Sequence, residues 1–180
     1  MSAQTTKKVV LVSGGSSGIG KCICADLAKR GHIVYELSRH GAAAGTVCHI
    51  TADVTDEASL CAAVETVVQE QGRIDILINN AGFGISGAVE FTDTAQAQKQ
   101  LDVNFFGCVR LCHAALPYFR RQGYGRIVNV SSVAAMAPIP FQAFYSASKA
   151  AINAFSMALA NEVRRFGITV CAVMPGDIHT

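Results

Sequence analysis

Short apolar runs, rich in β-branched residues and bounded by glycine or polar residues, recur along the chain. Such runs are typical of buried strands. The longer segments between them carry apolar residues every three or four positions, which is typical of helices that pack on one face. Six strands are predicted on this basis, at Val9–Val12, Ile33–Leu37, Thr46–Ile50, Ile74–Ile78, Arg126–Val130 and Ile168–Val173.

Helices are predicted between these strands. Three pairs of basic residues, at 29–30, 120–121 and 164–165, are each followed closely by a glycine. Because cations and a left-handed glycine favour a helix C-terminus, these pairs predict three helix ends. The predicted helices are Gly18–Arg30, Asp56–Gln71, Leu101–Arg121, which follows a shorter helix, and Ser146–Arg165.

Strands that alternate with helices of this length imply right-handed crossovers and a parallel sheet. The predicted fold class is therefore α/β: a Rossmann-type doubly wound parallel sheet with helices on both faces, in a single domain over residues 1–180. The chain is 51% hydrophobic and 16% charged, which suits a sheet covered on both faces. Ligands of such sheets bind beyond the carboxyl ends of the strands, so functional residues are expected there.

Composition narrows the classes of function. The net charge of +2 is scattered along the chain, which argues against a nucleic-acid partner. No apolar run is long enough to span a bilayer, and Met1–Lys8 lacks the apolar core of a signal peptide, so a cytoplasmic protein is expected. The seven cysteines include no CxxC pair and the five histidines show no metal-ligand spacing. We expect buried, reduced thiols and no metal site.

The first strand runs into a glycine-rich turn, after which a helix begins. Glycines permit a tight turn and a close approach of the backbone to a pyrophosphate, and a helix N-terminus offers free N–H groups to an anion. A ligand-free strand–helix turn is the alternative, but the position after the first strand favours a dinucleotide site. The candidate cofactor-binding residues of this turn are Ser13, Gly14, Ser16, Ser17, Gly18, Ile19 and Gly20.

The end of the second strand bears on the choice of cofactor. An acidic residue there would hold the ribose 2′-OH of NAD, whereas an arginine just beyond it can meet the 2′-phosphate of NADP. Ser38 and Arg39 fit the second case, so NADP(H) is predicted as the preferred cofactor and NAD(H) as the second choice. This prediction requires that Glu36 points away. A solvated arginine in a loop is the alternative.

Polar residues also follow the third and fourth strands. Asp53, followed by Val54, suits a contact with the adenine edge, although Asp53 or Asp56 could equally cap the next helix. An Asn-Ala-Gly turn after the fourth strand offers amides and a glycine where the backbone must pass close to a cofactor, and an ordinary turn is its alternative. The candidates in that turn are Asn80, Ala81 and Gly82.

Tyr145 and Lys149 form the candidate proton-transfer pair. Positions i and i+4 share one face of a helix. A phenol, with an ordinary pKa of about 10, is a poor acid–base at neutral pH, and a fixed cation nearby favours its phenolate form. The spacing is common on helix surfaces, so its neighbours matter. Ser132 closes the fifth strand and could bond the same substrate oxygen, and Asn104 could hold a water in a relay to Lys149.

In this order and spacing, these residues and the turn at Pro175 resemble the short-chain dehydrogenase/reductase family in its common, non-extended form. The resemblance covers nearly the whole chain. It implies a catalytic tetrad of Asn104, Ser132, Tyr145 and Lys149, in which the tyrosine is the acid–base, and hydride transfer between a nicotinamide and a substrate carbon. The residues that it implies near the nicotinamide are Tyr145, Lys149, Pro175, Gly176, Ile178 and Thr180.

The chain departs from the family pattern at three places. Ser13 stands where the family usually has threonine, and Ser17 stands where many NADP-binding members have a basic residue, so the NADP prediction rests on Arg39 alone. The family also continues past the Pro-Gly turn with a substrate-covering loop, a helix and a seventh strand. Either the chain is partial or its native form is unusually short, and we expect a partial chain that lacks this final helix, strand and lid.

Apolar residues around the predicted centre suggest a hydrophobic substrate. The loop between Ser132 and Tyr145 and the segment 83–85 would form two walls, and they resemble the branch of the family that acts on steroid-, retinoid- or lipid-like carbonyls and secondary alcohols. Core packing is the alternative. The first wall would contain Ala134, Met136, Ile139, Phe141 and Phe144, and the candidate substrate-binding residues are Ser132, Met136, Phe141 and Tyr145.

Two other functions remain open. One is a 3-oxoacyl-carrier-protein reductase, which would be favoured by a basic residue at position 17 and a basic docking patch. The other is a nucleotide-binding regulatory protein without turnover, against which the complete tetrad argues. The helices Leu101–Arg121 and Ser146–Arg165 are rich in small residues, and the resemblance implies that they pair between subunits in a homodimer or homotetramer.

Overall fold

A computed structural model describes residues 7–178 of the chain. Its six strands form one sheet in the order β3-β2-β1-β4-β5-β6, and all neighbouring strands are parallel. The strands are β1 (Val9–Ser13), β2 (Ile33–Ser38), β3 (Val47–Thr51), β4 (Ile76–Asn79), β5 (Gly125–Val130) and β6 (Ile168–Val173).

Five α-helices connect the strands, and short 3₁₀ turns lie at Val89–Phe91, Val133–Ala135 and Arg164–Phe166. Among residues 7–178, no helix has both the length and the apolar content that a membrane crossing requires. The helices are α1 (Gly18–Lys29), α2 (Glu57–Gln71), α3 (Thr94–Leu101), α4 (Gly107–Gln122) and α5 (Ala143–Val163), with a π-helical segment, Asp102–Phe106, between α3 and α4.

The prediction of a doubly wound α/β fold is confirmed. The chain runs outward from β1 through β2 to β3, and then returns to β4 on the other side of β1. The carboxyl ends of β1 and β4 therefore flank the point at which the strand order reverses, where doubly wound sheets bind their ligands.

The two faces of the sheet are covered differently. Along β1, Val9 and Leu11 join the large apolar cluster under α2, α4 and α5, whereas Val10 and Val12 join a smaller cluster under α1. Because the strand is buried on both faces, its sequence is continuously apolar rather than alternating. Beside α1, an apolar groove of about 310 Å³ remains along β4, β5 and β6.

The three basic pairs do mark helix ends. Gly31, Gly123 and Gly167 follow them with φ of 87°, 72° and 71°, the left-handed conformation that ends a helix. The last pair lies in the 3₁₀ turn that extends α5 rather than in α5 itself.

Three predicted boundaries are wrong. The fourth strand begins at Ile76 instead of Ile74, because the side chain of Gln122 takes both backbone hydrogen bonds of Ile74 (3.1 and 2.8 Å). The long helix does not start at Leu101, because the π segment makes it continuous with α3 from Thr94 onward.

The start of the last helix is the third correction. α5 begins at Ala143, three residues before the predicted start at Ser146, so Tyr145 lies inside it. The backbone N–H of Ser146 donates to the carbonyl of Gln142 at 2.9 Å, which places the first helical turn ahead of the serine. The helix ends at Val163.

The seven cysteines are free thiols. Cys24, Cys108 and Cys112 are buried, as expected for thiols that pack in a core. The expectation of burial is wrong for the others, which are exposed or half-buried because they lie on outer helix faces or on the sheet's edge strands. These are Cys22, Cys48, Cys61 and Cys171.

Candidate active site

The glycine-rich turn after β1 is tied to the turn after β4. The hydroxyl oxygen of Ser13 accepts from the backbone N–H groups of Asn80 and Ala81, both at 3.1 Å. In return the Asn80 amide donates to the carbonyls of Ser13 and Gly14, both at 3.1 Å. Because β1 and β4 are neighbours with Ser13 opposite Asn79, these bonds hold two of the predicted cofactor-binding turns together.

The conformation of this turn fits a pyrophosphate. Gly14 and Gly18 have positive φ of 68° and 51°, and a Cβ on Gly20 would lie 2.5 Å from the Asn80 amide nitrogen. α1 starts after Ser17 without a side-chain cap and without an acidic residue in its first turn. Its first N–H groups are therefore open to an anion, which is the chemistry that a dinucleotide needs.

The end of β2 is the second predicted cofactor contact. Arg39 is exposed, Ser38 is half-buried and Glu36 is buried. The Glu36 side chain is buried against Gly15 of the glycine-rich turn, where a Cβ on Gly15 would lie 3.3 Å from Glu36 Oε2. Its other oxygen accepts from the Ser38 hydroxyl at 3.2 Å and from His49 Nδ1. Glu36 thus points away from the surface that Arg39 occupies, as the prediction of NADP required. We call Glu36, Ser38, Arg39 and His49 the β2-end cluster.

The two aspartates after β3 have separate positions. Asp56 caps α2, because its carboxylate accepts from the N–H of Ala58 at 3.0 Å. The Asp53 carboxylate accepts from the N–H and the hydroxyl of Thr55, at 2.9 and 2.8 Å. The backbone bond from Thr55 lowers the pKa of Asp53, as do the positive charges of nearby arginines. Val54 follows, with its carbonyl accepting from the Arg110 guanidinium at 3.2 Å.

Tyr145 and Lys149 lie one turn apart on α5. The Lys149 ammonium is 5.7 Å from the centroid of the Tyr145 ring and donates to the carbonyl of Val130 at 2.8 Å. The lysine is only 4% exposed, and burial lowers its pKa from 10.5 to about 8. The hydroxyl of Ser131 donates to the Lys149 carbonyl at 3.0 Å, so β5 and the residue that follows it hold the lysine by both its main chain and its side chain.

Ser132 is buried at the end of β5. Its hydroxyl oxygen accepts from the N–H of Ala134 at 3.1 Å, which leaves the hydroxyl proton for another acceptor. No hydrogen bond joins it to Tyr145 within residues 7–178. The N–H of Val133 donates to the Pro175 carbonyl at 3.0 Å and thereby brings the Pro175–Gly176 turn beside Ser132.

Asn104 lies inside the π segment and is buried. Its side-chain oxygen accepts from the N–H of Phe83 at 2.9 Å, and its amide donates to the Phe83 carbonyl at 2.9 Å and to the Ser148 hydroxyl at 3.1 Å. Its side chain fixes the segment after the Asn-Ala-Gly turn and bonds directly to α5 through Ser148. A Cβ on Gly82 would lie 3.1 Å from the Asn104 oxygen and 3.6 Å from Lys149 Nζ, so both groups border Gly82, and the water relay between them stays a prediction.

Two functional neighbours were missed by sequence reasoning. Ser148 accepts from Asn104 and donates to the Tyr145 carbonyl at 2.7 Å, and Gln100 donates to the Phe83 carbonyl at 3.0 Å. Ser148 could have been found, because it is a hydroxyl on the same face of α5 as Tyr145, three residues further on. We call Asn104, Ser132, Tyr145 and Lys149 the tyrosine–lysine centre.

The predicted substrate residues lie around this centre with different exposure. Met136 and Phe141 are 73% and 67% exposed, but Ala134 is fully buried and cannot line a pocket wall, so that expectation is wrong. Phe141 has a positive φ of 65°, and its carbonyl accepts from the N–H of Gly87 at 2.8 Å. A Cβ on Gly84 would lie 3.7 Å from the Tyr145 ring. Ile178 is exposed, and Thr180 lies outside the described residues.

Comparison with known proteins identifies the family of the chain. The family model "short chain dehydrogenase" matches residues 8–180. A 3-ketodihydrosphingosine reductase of Bacteroides thetaiotaomicron is 47% identical over 174 residues, which cover 96% of this chain and 65% of that protein. The chain thus spans about two thirds of the length of this relative.

Solved structures of similar proteins have the same fold. A 3-ketoacyl-(acyl-carrier-protein) reductase from Brucella melitensis, complexed with NADH, superposes with a TM-score of 0.90 at 31% identity and covers 94% of this chain and 75% of its own. ElxO with NADP bound superposes with a TM-score of 0.92 at 30% identity, over 96% of this chain and 75% of its own. The chain belongs to the short-chain dehydrogenase family.

Proposed function

We propose that residues 1–180 form the cofactor-binding and catalytic domain of an oxidoreductase that transfers hydride between NADP(H) and a carbonyl or secondary alcohol. The observation that carries the proposal is the buried Lys149 ammonium, fixed by the Val130 carbonyl one helical turn from Tyr145. A buried cation with one backbone acceptor and a phenol beside it has no evident structural purpose, and perturbed groups of this kind cluster at functional sites.

The residues present fit a nicotinamide dinucleotide. The open N-terminus of α1 and the glycine-rich turn suit its pyrophosphate, Asp53 its adenine, and the turns at Asn80 and Pro175 its nicotinamide half. When bound, the nicotinamide would supply or accept the hydride. Arg39, exposed at the end of β2, favours the 2′-phosphate of NADP(H).

The proton transfer belongs to the side chains of this chain. In the reducing direction the Tyr145 hydroxyl donates its proton to the substrate oxygen, and the Lys149 ammonium stabilises the phenolate that remains. The Ser132 hydroxyl has a free proton and donates a hydrogen bond to the same oxygen. In the oxidising direction the phenolate removes the proton from the alcohol.

A hydrophobic, steroid-, retinoid- or lipid-like substrate is part of the proposal. Met136 and Phe141, in the loop between Ser132 and Tyr145, are exposed, and large exposed apolar side chains that lie together mark binding surfaces. The 47% identical relative bears the name of a keto-lipid reductase. An acyl-carrier-protein substrate is the second candidate, favoured by the similarity to the Brucella enzyme.

We further propose a cytoplasmic homodimer or homotetramer. The seven free thiols suit a reducing compartment. Phe106 in the π segment and Met157 on α5 are exposed, and they would be covered if these helices paired between subunits.

The test measures oxidation of NADPH and NADH with three ketones: a long-chain keto lipid, a 3-oxoacyl thioester of an acyl carrier protein, and a small ketone. We expect the highest kcat/KM with NADPH and the keto lipid. Tyr145→Phe should remove turnover while leaving NADPH binding intact, and Tyr118→Phe on α4 is the matched control. Turnover by Tyr145→Phe at the wild-type rate would refute the mechanism, and a preference for the carrier thioester would select the second substrate.

A further inference from the structure

The β2-end cluster contains a carboxylate that the reaction does not use. Glu36 is 3% exposed, although it stands next to the surface expected to meet the cofactor ribose. One of its oxygens accepts from the Ser38 hydroxyl at 3.2 Å and from His49 Nδ1, while the other, Oε2, is buried and has no hydrogen-bond partner among residues 7–178. His49 stands opposite Glu36 in the register of β2 and β3.

This arrangement fixes what Ser38 can offer a ligand. A carboxylate only accepts hydrogen bonds, so the Ser38 hydroxyl must be the donor in its bond to Glu36. A hydroxyl has one proton, and that proton is therefore directed inward. Toward a ligand, Ser38 presents lone pairs alone. Lone pairs suit a ribose 2′-OH, which can donate, and oppose a 2′-phosphate, which needs donors.

The cluster resists reorientation. A Cβ on Gly41 would lie 2.5 Å from the Ser38 oxygen and 2.7 Å from His49 Nδ1, so Gly41 packs closely against one side of both groups. His49 is also held from its other side, by a 3.0 Å bond between Nε2 and the Thr51 hydroxyl. If Ser38 turned its proton outward, a buried carboxylate that already has one unpartnered oxygen would lose a second bond, which is costly.

We propose that Glu36 is a specificity-determining residue for the cofactor, which acts through Ser38 to weaken the binding of the 2′-phosphate. Arg39 attracts that phosphate and the Glu36–Ser38 bond opposes it, so the protein uses both NADH and NADPH. This inference rests on the proposed function. Glu36 touches no cofactor atom in this account and is a positioning residue.

The test compares dissociation constants for NADPH and NADH, measured from the fluorescence of the bound dihydronicotinamide, in wild type and Glu36→Gln. Glutamine keeps the size of the side chain, and its amide N–H can donate to Ser38, which frees the hydroxyl proton for a phosphate. We expect the preference for NADPH over NADH to rise about three- to tenfold, the value of one hydrogen bond. Glu70→Gln is the control. Glu70 is a carboxylate of α2 that accepts from the hydroxyl of Tyr35, and Tyr35 points to the opposite face of β2 from Glu36.

A second variant distinguishes an effect of Glu36 that passes through Ser38 from a general loss of folded structure. Ser38→Ala removes the acceptor and should weaken NADH binding more than NADPH binding, and Glu36→Gln should add no further change in the ratio once Ser38 is alanine. The inference would be overturned if Glu36→Gln lost affinity equally for both dinucleotides. It would also be overturned if Glu36→Gln changed the preference for NADPH over NADH as much in the Ser38→Ala background as in wild type. Should Glu36→Gln not fold, the ratio measured in Ser38→Ala decides. Failure of wild type to bind either dinucleotide would instead refute the proposed function and the inference with it.

Discussion

The tyrosine–lysine centre and the β2-end cluster both contain charged and polar side chains, but their hydrogen-bond partners differ. At the centre, Lys149, Ser132 and Asn104 each bond to the backbone of a neighbouring element. At the β2 end, Glu36, Ser38 and His49 bond mainly to one another, and Arg39 extends into solvent. The backbone partners hold each group of the centre in one position, whereas the side-chain bonds at the β2 end determine which donors and acceptors face a ligand. Substitutions at the centre should therefore abolish function, and those at the β2 end should redirect it.

The largest effect is expected from Lys149→Met. Methionine fills the buried space but removes the cation that stabilises the phenolate and leaves the Val130 carbonyl without its donor. We expect kcat to fall by about 100-fold or more, the range of general acid–base catalysis, while the circular dichroism spectrum stays native. Lys99→Met, at an exposed position of α3, is the control. A fall of less than threefold in Lys149→Met would mean that the centre works without its cation.

The pH dependence of stability should report the same lysine. Burial lowers the folded-state pKa of Lys149 to about 8, against 10.5 when unfolded. Between these values the unfolded chain binds more protons, so the contribution of Lys149 to stability rises with pH from about 8 to 10.5, by an amount on the order of 3 kcal/mol. Denaturant unfolding at several pH values tests this, with Lys149→Met as the reference that lacks the slope. Parallel curves for the two proteins would show that the lysine is not desolvated.

Asn104→Ala should have a smaller effect on stability. It leaves the N–H of Phe83 without its side-chain acceptor and leaves the Phe83 carbonyl with Gln100 as its remaining side-chain donor. A loss of about 2 kcal/mol in the free energy of unfolding is expected. Asn104→Asp should recover only part of it, because a carboxylate accepts from the Phe83 N–H but cannot donate to its carbonyl. Equal stability of the alanine and aspartate variants would contradict the assignment of these bonds.

The smallest expected change is at the β2 end. Arg39→Asp should lower the ratio of kcat/KM for NADPH to that for NADH about tenfold, which corresponds to one exposed phosphate contact, without changing kcat for NADH. Arg30→Asp, at the exposed end of α1, should leave the ratio unchanged. An unchanged ratio in Arg39→Asp would show that Arg39 does not contact the cofactor. The β2-end cluster could then no longer be contrasted with the tyrosine–lysine centre as a site that selects the cofactor.

Much of the fold could be predicted because the strands are buried on both faces and their apolar runs are therefore continuous. The start of α5 could not. Ser146 is a residue type typical of helix N-caps, yet the helix starts after Gln142 without any side-chain cap. The π segment has no local signal either, because Asn104 in it is bonded to Phe83 and Ser148, which lie 21 and 44 residues away.

The same limit applies to the site. The spacing of Tyr145 and Lys149 follows from helix geometry and is visible in the sequence. The fate of Glu36 is not, because whether a carboxylate at that position faces the ribose or the interior depends on His49, which meets it only through the pairing of β2 and β3. Side chains that are positioned by one element can be predicted, and those positioned by two cannot.

The π segment also changes how the helical rod from Thr94 to Gln122 should tolerate altered length. Before the segment, α3 packs against α5, and after it, α4 packs against α2. A π turn closes its hydrogen bond one residue later than an α turn does, so deleting a single residue between 102 and 106 would let the stretch continue as an α-helix with the core positions Leu111 and Phe119 still facing inward. The same deletion early in α4 would turn every later side chain by about 100°. The loss of one residue from the π segment should therefore harm the packing of α4 less than the same loss within α4.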